Sequence, residues 1–98
     1  MENFELIRKW AKEKGIYKKG DPKTQMLKLI EEVGETSKAI LKNDKNEIID
    51  GLGDCLVVLI NLSELCGYKL EDCLEYAYNE IKNRKGKMQN GTFIKDDI

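Results

Sequence analysis

The chain has no histidine, one proline, three cysteines and no long apolar run. Each shortage excludes something. Cys55, Cys66 and Cys73 are odd in number and show no CxxC spacing, and with no imidazole anywhere a zinc site is not expected. Reduced thiols packed as small hydrophobes, in a cytoplasmic protein, fit this cysteine usage. No apolar stretch approaches the ~18 residues of a membrane span, so no membrane is expected as a partner. The start, Met1-Glu2-Asn3-Phe4, opens an amphipathic helix and does not read as a signal peptide. A formal net charge of -1 excludes a globally basic nucleic-acid binder.

What is present is 41% hydrophobic and 36% charged sequence, the balance of a soluble, helix-rich globular protein. Ninety-eight residues suit a single domain over 1–98 with a small core, which sharing between subunits would enlarge.

Helical periodicity and turn chemistry divide the chain into four helices. The first runs from about Glu2 to Lys14, with Phe4, Ile7, Trp10 and Ala11 at helical spacing. Gly15 and Gly20 bracket a loop, Ile16-Tyr17-Lys18-Lys19. Asp21 suits an N-cap and Pro22 a first helical residue, so the second helix starts there and runs to about Lys42. Asn43-Asp44 breaks it. The third spans about Lys45 to Leu65 and stops at Gly67, a left-handed cap. The fourth spans about Leu70 to Arg84, with Leu70, Cys73, Leu74, Ala77 and Ile81 inward. Asn90-Gly91 then signals a hairpin turn in a short C-terminal arm. Short connections imply antiparallel neighbours, hence an all-α four-helix bundle with a C-terminal arm or hairpin.

The chemistry is carried by carboxylates. At 100° per residue, Gln25, Lys28, Glu32, Glu35 and Ala39 share one stripe of the second helix, bordered by Met26, Leu29, Ile30, Val33 and Ile40, with Glu31 at the rim. On the third helix, Glu47, Asp50, Asp54 and Asn61 share another. That helix is otherwise apolar nearly all round, through Leu52, Cys55, Leu56, Val57, Val58 and Leu59, and so belongs in a core. A carboxylate kept there needs a compensating cation or hydrogen bonds. If the two helices pack antiparallel across Asn43-Asp44, Glu32, Glu35, Asp50 and Asp54 converge. An oxygen-only, carboxylate-rich set suits Mg²⁺ or Mn²⁺. Lys28 can then meet a phosphate as a point charge. The plainer alternative is a solvated face, with Lys28, Glu31 and Glu35 as i,i+4 pairs worth only ~0.3 kcal/mol each. It suits the second helix better than Asp50 and Asp54.

Glu31-Glu32-Val33-Gly34-Glu35, followed at this distance by Leu52-Gly53-Asp54-Cys55-Leu56-Val57, resembles the MazG-like, phage-type branch of the all-α nucleoside triphosphate pyrophosphohydrolases. The family pattern is EExxE and then ExxD in a helix that continues apolar. The likeness extends to Trp10 in the first helix, to Lys28 ahead of the acidic motif and to Asn83-Arg84 at the end of the last helix. The ExxD glutamate would fall at Gly51. Asp50, one turn before Asp54, is the geometric substitute, and Glu47-x-x-Asp50 forms an ExxD of its own. The lysine that the family carries four before Asn83 is Asn79 here.

The resemblance implies Mg²⁺-dependent cleavage of a (deoxy)nucleoside triphosphate into monophosphate and pyrophosphate. It implies metal at Glu32, Glu35, Asp50 and Asp54, Glu31 or Glu35 orienting water, and a homodimer or homotetramer whose pocket is partly built by a second subunit. Lys28, Trp10, Asn61, Asn83 and Arg84 are the candidate substrate contacts. Each has a structural alternative: Trp10 packing on the bundle, Asn61 bonding between helices, and the Lys82–Lys87 cluster serving as favourable charge at a helix C-terminus. Two other functions remain open. One is a non-catalytic module of the same fold that binds nucleotide or metal. The other, disfavoured by the net charge, is a nucleic-acid-binding helical dimer using Lys82–Lys87. Gly51 also implies close backbone packing against another helix, since a mid-helix glycine costs ~1 kcal/mol relative to Ala.

Overall fold

Side-chain caps set the ends of the two longest helices. In the computed structural model, which describes residues 2–96, Asp21 Oδ1 accepts the Thr24 backbone N–H at 2.8 Å, and Pro22 opens a 21-residue helix, Pro22–Lys42. Asn43 closes it in the left-handed region. Asp44 at once caps the next helix, its Oδ1 accepting from the Glu47 N–H, and this helix runs Lys45–Cys66 to Gly67, also left-handed. A connection this short forces the two helices antiparallel, and they make the main contact of the fold.

The element order is α1 (Glu2–Glu13), α2 (Ile16–Lys19), α3 (Pro22–Lys42), α4 (Lys45–Cys66), α5 (Leu70–Ile81), β1 (Gly86–Gln89) and β2 (Thr92–Lys95). The all-α, four-long-helix architecture and the C-terminal hairpin follow the sequence reading. The stretch expected as a loop, Ile16–Lys19, is instead a single helical turn, because Gly15 takes φ 80° and its carbonyl accepts the Lys19 N–H. The last helix stops at Ile81, three residues before the expected Arg84. The hairpin pairs Gly86 with Lys95, Lys87 with Ile94, Met88 with Phe93 and Gln89 with Thr92 around Asn90-Gly91, both at positive φ.

The core is small. Phe4 and Ala11 of α1, Ala39 of α3, and Val58 and Ile60 of α4 are its buried apolar residues. The inward face expected on α5 is not realised within one chain. Cys73, Leu74, Ala77 and Ile81 are exposed, and only Leu70 is half-buried, because no element of the same chain lies over that face. Likewise Cys66 and Cys73 are free and exposed, not packed as small hydrophobes, and Cys55 alone is partly covered. No helix among the described residues is long and apolar enough to cross a membrane.

Candidate metal and phosphate site

The site begins with a close approach of two backbones. Gly51 is buried against α3, and a Cβ added there would lie 2.4 Å from Thr36 Oγ1 and 3.1 Å from Thr36 Cβ. The Thr36 hydroxyl donates to the Glu32 carbonyl at 2.8 Å, so its position is fixed from within α3. This crossing explains the glycine: even a methyl group would crowd Thr36, and the glutamate of the ExxD pattern has no room here. It also sets the register. Glu32 and Glu35 precede Thr36 on one helix, while Asp50 and Asp54 flank Gly51 on the other.

Beside the crossing, Glu35, Lys38 and Lys42 of α3 face Glu47, Asp50 and Asp54 of α4 across a groove of about 320 Å³. Glu32 borders it. Its side chain is 12% exposed, and its carboxylate lies 3.6 Å from Lys28 Nζ. Burial pushes the Asp54 carboxyl above the usual carboxylate range. The charges of Asp50 and Glu32 push in the same direction, and Lys28 opposes them. Asp54 therefore feels Glu32 across the helix pair as well as Asp50 on its own helix. Among the described residues no three carboxylate or thiol groups are drawn into a ready-made metal cage. Like charges across an open groove repel, which accounts for carboxylates that converge without closing. The donor set is oxygen-only, with two half-buried carboxyls and few cationic partners, and it fits a hard divalent cation.

The other sequence candidates lie apart. Glu31 is exposed at the rim of α3, and Trp10 is half-exposed on α1. Asn61 is buried, and its Oδ1 accepts the Tyr17 hydroxyl at 2.7 Å, a bond between α4 and α2. Asn83 and Arg84 lie in the exposed link between α5 and β1 and do not line the groove.

The sequence reading passed over two features. Lys38 and Lys42 line the groove; their signal was the i+3 and i+7 spacing from Glu35. Arg8 is 8% exposed and bridges Glu71 of α5 and Glu64 of α4, with Nη1 donating to Glu71 Oε2 at 2.8 Å. Its Nε lies 2.8 Å from Glu64 Oε1, yet its N–H is not aimed there, so this is a charge contact and not a hydrogen bond. The signal for Arg8 was its place on the Phe4–Ala11 face of α1.

Residues 21–88 match the model of the MazG nucleotide pyrophosphohydrolase domain. The chain is similar to an uncharacterized 18.2 kDa protein from the rep-hol intergenic region of Haemophilus phage HP1, 36% identical over 58 residues. That alignment takes in 59% of this chain and 36% of the relative, so the chain covers about a third of the phage protein's length. No solved structure matches.

Proposed function

The chain belongs to the MazG nucleotide pyrophosphohydrolase domain family, and from that membership we propose that it cleaves (deoxy)nucleoside triphosphates to monophosphates and pyrophosphate in the cytoplasm. Mg²⁺, or Mn²⁺ in its place, would be held by Glu32, Glu35, Asp50 and Asp54. The observation that carries this reading is the Thr36–Gly51 crossing, which sets Glu35 on one wall of a groove and Glu47, Asp50 and half-buried Asp54 on the other. When bound, the metal supplies charge neutralisation at the phosphates and a more acidic water.

The chain's own groups do the rest. Water adds to the α-phosphorus, the bond from that phosphorus to the bridging oxygen breaks, and pyrophosphate leaves with the electron pair. Glu35, which lines the groove, takes the water's proton; Glu31, exposed at the rim, is the weaker candidate. Lys38 and Lys42 offer charge to the phosphates from the α3 wall. Incubation with mixed NTPs and dNTPs plus Mg²⁺ should release pyrophosphate and monophosphate together. Release of orthophosphate alone, or no turnover, would overturn the reading. Gly51 favours a second reading, a nucleotide- or metal-binding module without turnover. It predicts metal-dependent nucleotide binding in the same sample with no pyrophosphate.

The active unit is proposed to be a homodimer or homotetramer. The chain exposes 8078 Å², whereas a compact monomer of its mass exposes about 5,700 Å². The excess is about 2,400 Å² per chain, and twice that per pair lies in the range that obligate assemblies bury. Ile30, Val33, Ile40 and Leu41 of α3 and Ile49 and Leu52 of α4 are more than half exposed, and this apolar surface is the proposed contact. A monomeric mass by light scattering, with folding intact, would refute it.

A further inference from the structure

The C-terminal hairpin is folded but uncovered. No residue of β1 or β2 lies within 8 Å, Cα to Cα, of any described helix residue. Phe93 lies over Gly86, where an added Cβ would sit 2.6 Å from its Cζ, and Met88 is its cross-strand partner on the same face. These residues remain exposed, Met88 at 67% and Phe93 at 47%. A two-stranded hairpin alone is at best marginal in water and needs a third layer. The α5 helix that carries it buries none of its own residues and is held to the body at its start, where Glu71 meets Arg8.

The charge of this segment is as lopsided as its burial. Residues 82–96 hold five basic side chains, Lys82, Arg84, Lys85, Lys87 and Lys95, against one acid, Asp96. The groove between α3 and α4 presents four carboxylates, Glu35, Glu47, Asp50 and Asp54, against two lysines, Lys38 and Lys42. One region is basic with an uncovered apolar face. The other is acidic, with exposed apolar residues on the same two helices. In a chain with a net charge of -1, such a division marks two surfaces that complement each other.

We propose that the hairpin is an exchanged arm: it docks on a second copy of this chain, covering Met88 and Phe93 against the partner and setting its lysines at the mouth of the partner's acidic groove. The docking rests on the self-association proposed above and not on hydrolysis. It adds lysines of the opposite chain to a groove whose own cations, Lys38 and Lys42, are outnumbered by its carboxylates. Bound polyphosphate would then meet Lys87 and Lys95 from the opposite subunit.

The test uses the intact wild-type protein. Light and ¹⁵N-labelled chains are co-refolded in equal amounts, cross-linked with a zero-length carbodiimide, and mapped by mass spectrometry. The expected result is amide links from Lys85, Lys87 or Lys95 to Glu35, Glu47 or Asp50, about half of them joining a light chain to a heavy one. The same links found only within one isotope would place the arm on its own chain and overturn the proposal. So would links confined to Asp96 and the lysines of two hairpins, which would mean edge-to-edge strand pairing. An oligomer by light scattering with no hairpin-to-groove link would sink the arm and leave self-association standing. Mixed-isotope links in a preparation that releases no pyrophosphate would uphold the arm and sink the hydrolase reading.

Discussion

The two ends of α4 bury polar groups on opposite terms. Toward the C-terminus every such group has a partner: Asn61 receives the Tyr17 hydroxyl, the Ser63 hydroxyl donates to the Ile60 carbonyl, and Glu64 lies against Arg8. Toward the N-terminus, Asp54 has carboxylates for neighbours and only Lys28 to relieve them. The difference separates scaffold from site. Satisfied polar groups fix the packing of α1, α2 and α5 on one end of the helix, whereas the carboxylates crowded at the other end are the ones proposed to hold a cation. The contrast can be broken from either end.

The largest effect belongs to the crowded end. Glu32→Ala or Asp54→Ala should lower Mg²⁺-dependent pyrophosphate release by about 100-fold or more, as loss of a charge-stabilising group does. Asp50→Asn should keep the fold and raise the Mg²⁺ midpoint, because a neutral oxygen attracts a dication less. A metal titration of pyrophosphate release checks both. An unchanged midpoint in Asp50→Asn would remove Asp50 from the ligand set.

Next comes the satisfied end. Arg8→Met keeps the aliphatic stem but leaves Glu64 and Glu71 facing each other without a cation. It should cost about 2 kcal/mol, less than breaking a fully buried pair, because the side chains of Glu64 and Glu71 keep 28% and 29% of their exposure. Urea unfolding measures it. A stability equal to wild type would show the cluster to be merely a surface network.

Gly51→Ala joins the two ends and should have a smaller effect. Alanine favours a helix interior by ~1 kcal/mol over glycine. Against that, the new Cβ would meet Thr36 Cβ and Cα as well as its hydroxyl, so turning the hydroxyl away relieves only part of the clash. Overpacking of this kind costs about 1–3 kcal/mol, and the net should be a loss of about 1 kcal/mol. A gain in thermal stability would mean that α3 and α4 separate freely. The same crowding bars Gly51→Glu from restoring a ligand.

What the sequence made legible follows from the range of each signal. Caps and turns are local, so Asp21, Asn43-Asp44, Gly67 and Asn90-Gly91 were readable, and with them the helices and the hairpin. The carboxylate stripes depend on periodicity within one helix and a short turn between two, and both are sequence-near. Three things depended on partners far along the chain. Arg8 reads as an ordinary charged helix residue until Glu64 and Glu71 are known to face it. Asn61 shows no sign of Tyr17. The expected inward face of α5 was a sound reading of amphipathicity, but periodicity identifies an apolar face without saying which chain covers it.

The smallest effect is also the sharpest form of the comparison, because the two ends should respond to acid with opposite sign. Arg8 holds the Glu71 carboxyl down at about 2, below its ordinary value of 4.5. The folded state therefore favours ionised Glu71. Its contribution is complete above about pH 4.5 and is lost as pH falls toward 2. Asp54 is raised above 3.8, first by burial and then by the Asp50 and Glu32 charges. In the metal-free protein its ionised form disfavours folding, so this cost is relieved as pH falls through the raised pKa toward 3.8. Thermal unfolding without metal should then show stability rising slightly on mild acidification before it falls. Asp54→Asn should flatten the rise and lift stability at neutral pH. Glu71→Gln should flatten the fall. With saturating Mg²⁺ the Asp54 limb should invert, since protonation then competes with the metal for the same oxygens. If Asp54→Asn instead loses metal-free stability at neutral pH, the Asp54 carboxylate is already satisfied, and the two ends of α4 are alike.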